Sequence, residues 1–313
     1  MKGAGIAFLL GVLVLPSNAQ TVGEMPTPIF RGATIEAEAT FEKSARTYVY
    51  TYTLSNPSSN TGELASFKID VSADEATNAM VSRTAGLTLQ FVARPVPFTE
   101  ILSRFEKLNA RTGMRYRLRA ETVVPFGQTV PAGCNGGLSM DSFAGFSCGP
   151  NNFVQPGSSR GGFRLISYGV PTVRNAQLEA FWMHIVKDHE QVTPEQARAA
   201  GRIEQDLRLH AVTLGASGVA HGSRAHWEQL RTDLARAIQL RWIDDAMLAK
   251  ELTEQLSSAR QALEASDASA ARSGLQRLLA TLERARGQTR KEGFGLVSLN
   301  AWSLLENIDK QKE

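Results

Sequence analysis

The sequence predicts a mixed β + α protein in two parts, an antiparallel Ig-like β-sandwich over residues 34–215 and a small antiparallel helical bundle over residues 224–313. Three observations carry this. Apolar and polar residues alternate with a period of two from about Thr34 to Ile185, as in strands that bury one face. After Ser223 the apolar residues recur every three or four positions, which makes a stripe on a helix. Between the two lies 216–223, a run of mostly small residues read as a flexible linker and placed as the boundary.

The first nineteen residues read as an export signal. Lys2 gives a positive start, Ile6 to Leu15 is a short apolar run, and Pro16-Ser17-Asn18-Ala19 ends it with small residues at the −3 and −1 positions of a cut before Gln20. A membrane span needs roughly 20 apolar residues, and this run is too short. Residues 20–33 are an N-terminal extension. The expected protein is secreted or periplasmic, with no transmembrane segment after cleavage; the polar end from Glu306 to Glu313 offers no hydrophobic anchor.

Tyr48, Tyr50, Tyr52 and Leu54 alternate with Val49, Thr51 and Thr53 and stop at Ser55-Asn56-Pro57, a strand with a turn after it. Phe67, Ile69 and Val71 repeat the pattern, as do Leu87 to Phe91 and Met114 to Leu118. Phe98 to Leu108 interrupts it with helical spacing. Phe163 to Tyr168, Leu178 to Ile185 and Leu207 to Leu214 complete the strands, the last preceded by a helix at 194–205 that Thr193-Pro194 starts. Strands without regular intervening helices point to antiparallel sheets.

Four helical stripes follow: Trp227, Leu230, Leu234 and Ile238; Ile243 to Leu263; Ala271 to Leu282; and Ala301, Leu304, Leu305 and Ile308. Ala265-Ser266-Asp267 leaves room only for an antiparallel hairpin between the second and third. Residues beyond Ser223 are expected to fold on their own.

Hydrophobic residues are 42% and charged residues 21% of the chain, which excludes wholesale disorder, a collagen and a coiled-coil rod. The net charge of +3 is too small to argue for nucleic acid. Cys134 and Cys148 are the only cysteines. In an exported chain such a pair forms a disulfide, here pinning the glycine- and serine-rich loop between them.

Several residues could carry function. Arg115, Arg117 and Arg119 fall on one strand face at intervals of about 6.6 to 7 Å, able to grip carboxylates or sulfates or to pair with acidic residues on neighbouring strands. The partners this suggests are an acidic glycan, a cell-envelope component or an acidic protein. Tyr48, Tyr50 and Tyr52 form a row suited to sugar stacking or to packing between sheets.

Gly145-Phe146-Ser147-Cys148-Gly149 matches a nucleophile elbow, but Pro150 follows where a helix should begin. None of His184, His189, His210, His221 and His226 forms a local metal motif, and His221 and His226 are expected to face water beside the linker. No catalytic residue, metal ligand or cofactor is assigned. The leading expectation is a non-catalytic binding or attachment protein. The alternative is an extracytoplasmic hydrolase with a non-local site in the sandwich, for which His184 or His210 would meet Asp188 or Asp206 in a pocket.

Leu240-Arg241-Trp242-Ile243-Asp244, the leucine-striped hairpin with Ser266-Asp267 at its tip, and Asn300-Ala301-Trp302-Ser303-Leu304-Leu305-Glu306-Asn307 resemble the C-terminal helical modules of secreted bacterial proteins, including those called FIMAH-like. Val154-Gln155-Pro156-Gly157-Ser158-Ser159-Arg160-Gly161-Gly162-Phe163, leading to Ser167-Tyr168-Gly169-Val170-Pro171, is similar to the sandwich half of exported proteins of unknown function. The resemblance implies an accessory or attachment role and brings no catalytic residues.

Overall fold

The computed structural model describes residues 27–70, 134–138, 143–167, 169–182, 193–219 and 221–310. Among the described residues, eight strands form two antiparallel sheets: β1 (Thr34–Glu42), β2 (Thr47–Asn56), β3 (Leu64–Asp70), β4 (Cys134–Leu138), β5 (Phe143–Cys148), β6 (Ser158–Ser167), β7 (Pro171–Ala180) and β8 (Arg208–Ala216). One sheet has the order β1-β2-β6 and the other β4-β5-β3-β7-β8. The mixed β + α class is as expected. The strands proposed around Leu87 and Met114 and the helix at 98–108 lie outside the described residues.

The period of two decides which side chains face inward. Tyr48, Tyr50, Tyr52 and Leu54 of β2 are buried, and so are Phe163 and Leu165 on the paired β6. Phe67 and Phe146, from neighbouring β3 and β5, stack at 4.6 Å, with Tyr52 6.0 Å from Phe67 and Phe163 edge-on to Phe67 at 5.0 Å. These rings fill the space between the sheets, and each contributes roughly 1.5–3 kcal/mol by leaving water. Proline removes a ladder donor, so β2 ends at Asn56, before Pro57. Asn56 then donates from Nδ2 to the Gly62 and Val154 carbonyls at 2.9 Å each and ties the turn to the next strand.

Two expectations on local structure need correction. The glycine- and serine-rich stretch between the cysteines is not simply a pinned loop, because β4 and β5 pair in register from Cys134 opposite Cys148 to Leu138 opposite Ala144. Strand β7 begins at Pro171, seven residues before the expected Leu178, and residues 183–192 lie outside the described part. Buried Thr172 and Arg174 hid its first half behind a polar sequence.

The helices are α1 (Pro194–Asp206), α2 (Arg224–Gln239), α3 (Ala246–Glu264), α4 (Ala268–Arg284) and α5 (Lys291–Lys310). Capping residues start three of them. Ser223 accepts from the His226 amide, Asp245 from Met247 and Leu248, and Asp267 from Ala270. Helix α2 stops where Arg241 takes φ 57. The Trp242 amide reaches the Ala237 carbonyl and the Arg241 amide that of Ile238, a Schellman closure; Ser266 (φ 62) closes α3 in the same way. The leucine stripes are core, as expected: Leu230, Leu252, Leu256, Leu275, Leu278, Leu282 and Leu304 are all buried.

The helices do not stand apart from the sheets. One continuous core runs from Phe30 to Ile308. Helix α5 crosses β1, where Glu292 is buried and its Oε1 accepts the Ala37 amide at 3.0 Å, and Trp302 lies 4.6 Å from Phe41. The first residues of the segment expected to be a flexible linker are held to the sheet. Ala216 ends β8, and buried Ser217 donates its amide to the Val170 carbonyl at 2.8 Å. The approach is so close that a Cβ on Gly169 would collide with the Ser217 carbonyl oxygen. Among the described residues, no helix is long and apolar enough to cross a membrane.

Candidate functional site

Arg115, Arg117 and Arg119 lie outside the described residues, as do His184, Asp188 and His189. The tyrosine row is inside the protein. Tyr50 is fully buried and donates to the Gly169 carbonyl at 2.7 Å, and Tyr52 donates to the Leu214 carbonyl at 3.0 Å. Burial pushes both phenols well up from their ordinary value. Tyr48 packs against Phe41 and the His221 ring. The row therefore packs the sheets and presents no platform.

Cys134 and Cys148 form the expected disulfide. It joins facing residues of β4 and β5, so Ser147 sits in a paired strand opposite Ser66 and Asn135. Only a three-residue 3-10 turn, Pro150–Asn152, follows. A nucleophile elbow requires a sharp strand-to-helix turn with a histidine base in reach, and this segment does not supply the turn. His210, on β8 opposite Gln177, and Asp206, at the end of α1, are exposed.

Among the described residues, buried polar groups gather in a seam between the sheets and helices α2 and α5. Asp233 reaches from α2 to β7, where its Oδ2 accepts from the Thr172 hydroxyl at 2.6 Å. Nearby, Gln229 accepts from the Ser217 hydroxyl at 2.6 Å. Arg174 of β7 donates from Nε and Nη2 to the Ala216 carbonyl at 3.0 and 2.6 Å. Asn300 of α5 donates from Nδ2 to the Pro171 carbonyl at 2.8 Å and to Leu296 at 2.7 Å, while its Oδ1 meets His226 Nε2 at 2.8 Å. His226 is wholly buried, which corrects the expectation that it faces water. It occupies the sheet-facing side of α2 with Leu230, Asp233 and Ala237, three to four residues apart.

Burial dominates the electrostatics of this seam. It raises Asp233 to about 6, although hydrogen bonds from Thr172 and the Val173 amide and the charge of Arg174 pull the other way. It lowers His226 to about 4, with the Asn300 hydrogen bond opposing and His221 adding to the fall. It also lowers Arg174, against the pull of Asp70 and Asp233. Buried polar groups stabilise when each has its partner and cost about 1–3 kcal/mol when one is removed. The seam can therefore hold helices to sheets, and its working groups face protein and not solvent.

The sequence reading missed Asp233, Thr172, Arg174, Asn300 and Glu292. One signal was present: His226 and Asp233 interrupt the Trp227–Leu230–Leu234 stripe on its own face, and Asn300 does the same between Leu296 and Leu304. On the outer face of the second sheet, Glu179 accepts from Lys68 at 3.0 Å, Ser66 at 2.8 Å and Arg208 at 3.1 Å. Burial raises this carboxyl, but those partners outweigh it and hold the group below its ordinary value.

A shallow groove between α2 and α3 is floored by Leu234, Ala235, Ile238 and Leu256. Of the arginines at its edge, Arg231 pairs with Glu228 and Arg236 with Asn175. Among the described residues, no group of three or more His, Cys, Asp or Glu is placed to hold a metal ion. No protein-family model and no curated protein matches the chain.

Proposed function

We propose that the chain is an exported, non-catalytic binding or attachment protein, secreted or periplasmic after loss of residues 1–19. In this reading residues 34–215 are an Ig-like β-sandwich that binds, and 224–313 are a helical bundle, akin to FIMAH-like modules, that serves as its accessory. The observation that supports it is where the reactive side chains sit. Tyr50, Tyr52, Asp233, Arg174 and His226 are buried and bonded within the protein, across the sheet core and the sheet–helix seam.

Binding is assigned to Arg115, Arg117 and Arg119, whose alternation in the sequence suits a row of carboxylates or sulfates. The ligand is an acidic glycan, an acidic envelope component or an acidic protein. The test titrates the mature protein with a sulfated polysaccharide and with polyglutamate at low and high salt, alongside a variant with all three arginines changed to Gln. Binding should weaken with salt, because exposed charges are screened beyond about 10 Å at 0.1 M, and should fall in the variant. Unchanged binding rejects the arginine face. Hydrolysis of an ester or glycoside that is lost in a folded Ser147→Ala variant rejects the non-catalytic reading.

A further inference from the structure

His226 sits in the first turn of α2, and its ring joins three parts of the chain. Nδ1 accepts the Gly222 amide at 3.1 Å, and Nε2 meets Asn300 Oδ1 at 2.8 Å. The Asn300 amide nitrogen is committed to the carbonyls of Pro171 and Leu296, so its oxygen must face the ring. Nε2 therefore carries the proton and Nδ1 is bare. All the donors point one way, from Gly222 through His226 and Asn300 to β7, and the ring is satisfied only when neutral.

We propose that His226 is an acid-sensitive latch, which in its neutral form clamps Gly222 and α2 to α5 and β7, and which opens when Nδ1 takes a proton.

A proton on Nδ1 sets two donors against each other across the Gly222 contact. Gly222 has little room to move aside: it lies at φ 73, and a Cβ there would come 2.6 Å from that of Asn307. The surroundings offer the imidazolium little compensation. The preceding segment contributes His221, whose ring centroid is 6.1 Å away and whose charge opposes a second one. Helix α2 contributes Asp233, bonded to Thr172; β7 contributes Arg174, a cation bonded to Ala216; and α5 contributes the neutral Asn300. Burial, ahead of these neighbours, sets the pKa at about 4 against an ordinary 6.5. A depressed histidine gives stability that is fully present above pH 6.5 and is lost as the pH falls through 4.

The test uses the full chain with uniform isotope labelling, followed by NMR from pH 7.5 to 3.5, with the His226 ring assigned by connection to its own backbone amide. The His226 signal should titrate at a proton concentration at least tenfold higher than an ordinary histidine of pKa 6.5, and the Gly222 amide should shift with the same midpoint. Backbone hydrogen exchange in 217–226, corrected for intrinsic rate, should rise at least tenfold between pH 5.5 and 4. That rise should persist in Asp233→Asn and vanish in His226→Gln. A midpoint at the ordinary histidine value, a Gly222 amide that does not follow, or the same rise in His226→Gln overturns the latch. The first two readouts come from the wild-type chain and stand even if the variant folds poorly.

Discussion

Asp233 is a carboxylate whose burial makes the folded protein dislike its charge. The perturbation is Asp233→Asn, which keeps the size and one acceptor oxygen for the Thr172 hydroxyl while removing the ionisation. Folding raises the pKa from an ordinary 3.8 to about 6. A carboxyl raised in this way gives stability that is fully present below pH 3.8 and is lost as the pH rises through 6. The rise from 3.8 to about 6 corresponds to about 3 kcal/mol. Asparagine does not titrate and escapes this cost.

The variant should therefore match the wild type within about 1 kcal/mol at pH 4 and be about 2–3 kcal/mol more stable at pH 7.5. The assay is denaturant unfolding of both proteins at the two pH values, with the slopes compared to verify that the same surface is exposed. The difference between the proteins cancels the opposite titration of His226, which lies two helical turns away. A stability difference that does not change with pH, or a variant that loses stability at pH 7.5, refutes the reasoning.

Three other outcomes follow from the packing. Leu256→Ala should cost about 2–5 kcal/mol, because Leu256 is 3% exposed in the helical core; an unaffected denaturation midpoint contradicts this. The 224–313 fragment should show helical circular dichroism but melt below the full chain, since α2 and α5 lose the buried contacts of Asp233, Glu292 and Trp302 with the sheets; a fragment without helical signal contradicts the assignment of its stripes. Non-reducing peptide mapping should recover Cys134 and Cys148 as one linked peptide pair, and two free thiols contradict it.

Much of the fold is legible in local pattern, because a period of two or 3.6 reports which face is buried. Tyr48 to Leu54 and the leucines of α3 and α4 show this directly, and Ser266-Asp267 marks its turn because Asp267 caps the next helix. Composition misleads where glycine stands in a strand. Asn135 to Leu138 reads as loop, yet pairing with β5 and the adjacent disulfide hold it extended. The site is the least legible part. Asp233 finds Thr172 across 61 positions and Asn300 finds Pro171 across 129, so neither pairing leaves a local mark, and His226 just after the small-residue run 216–223 reads as a surface residue. The same distance in sequence hides the anchoring of Ser217 at the start of the presumed linker, since its partner is the Val170 carbonyl just before β7 in the chain.

The central claim is that buried polar side chains lock the helices onto the sheets, and Asn300→Ala tests it most directly. The substitution strands the Pro171 carbonyl and the His226 Nε2 proton, at about 1–3 kcal/mol for each group left without a partner. Hydrogen exchange on the full chain at pH 7 should show protection falling together in Pro171–Ala180 of β7, in the 217–223 segment and in α2 and α5. Loss of protection confined to α5, with β7 and α2 exchanging as in the wild type, would contradict it.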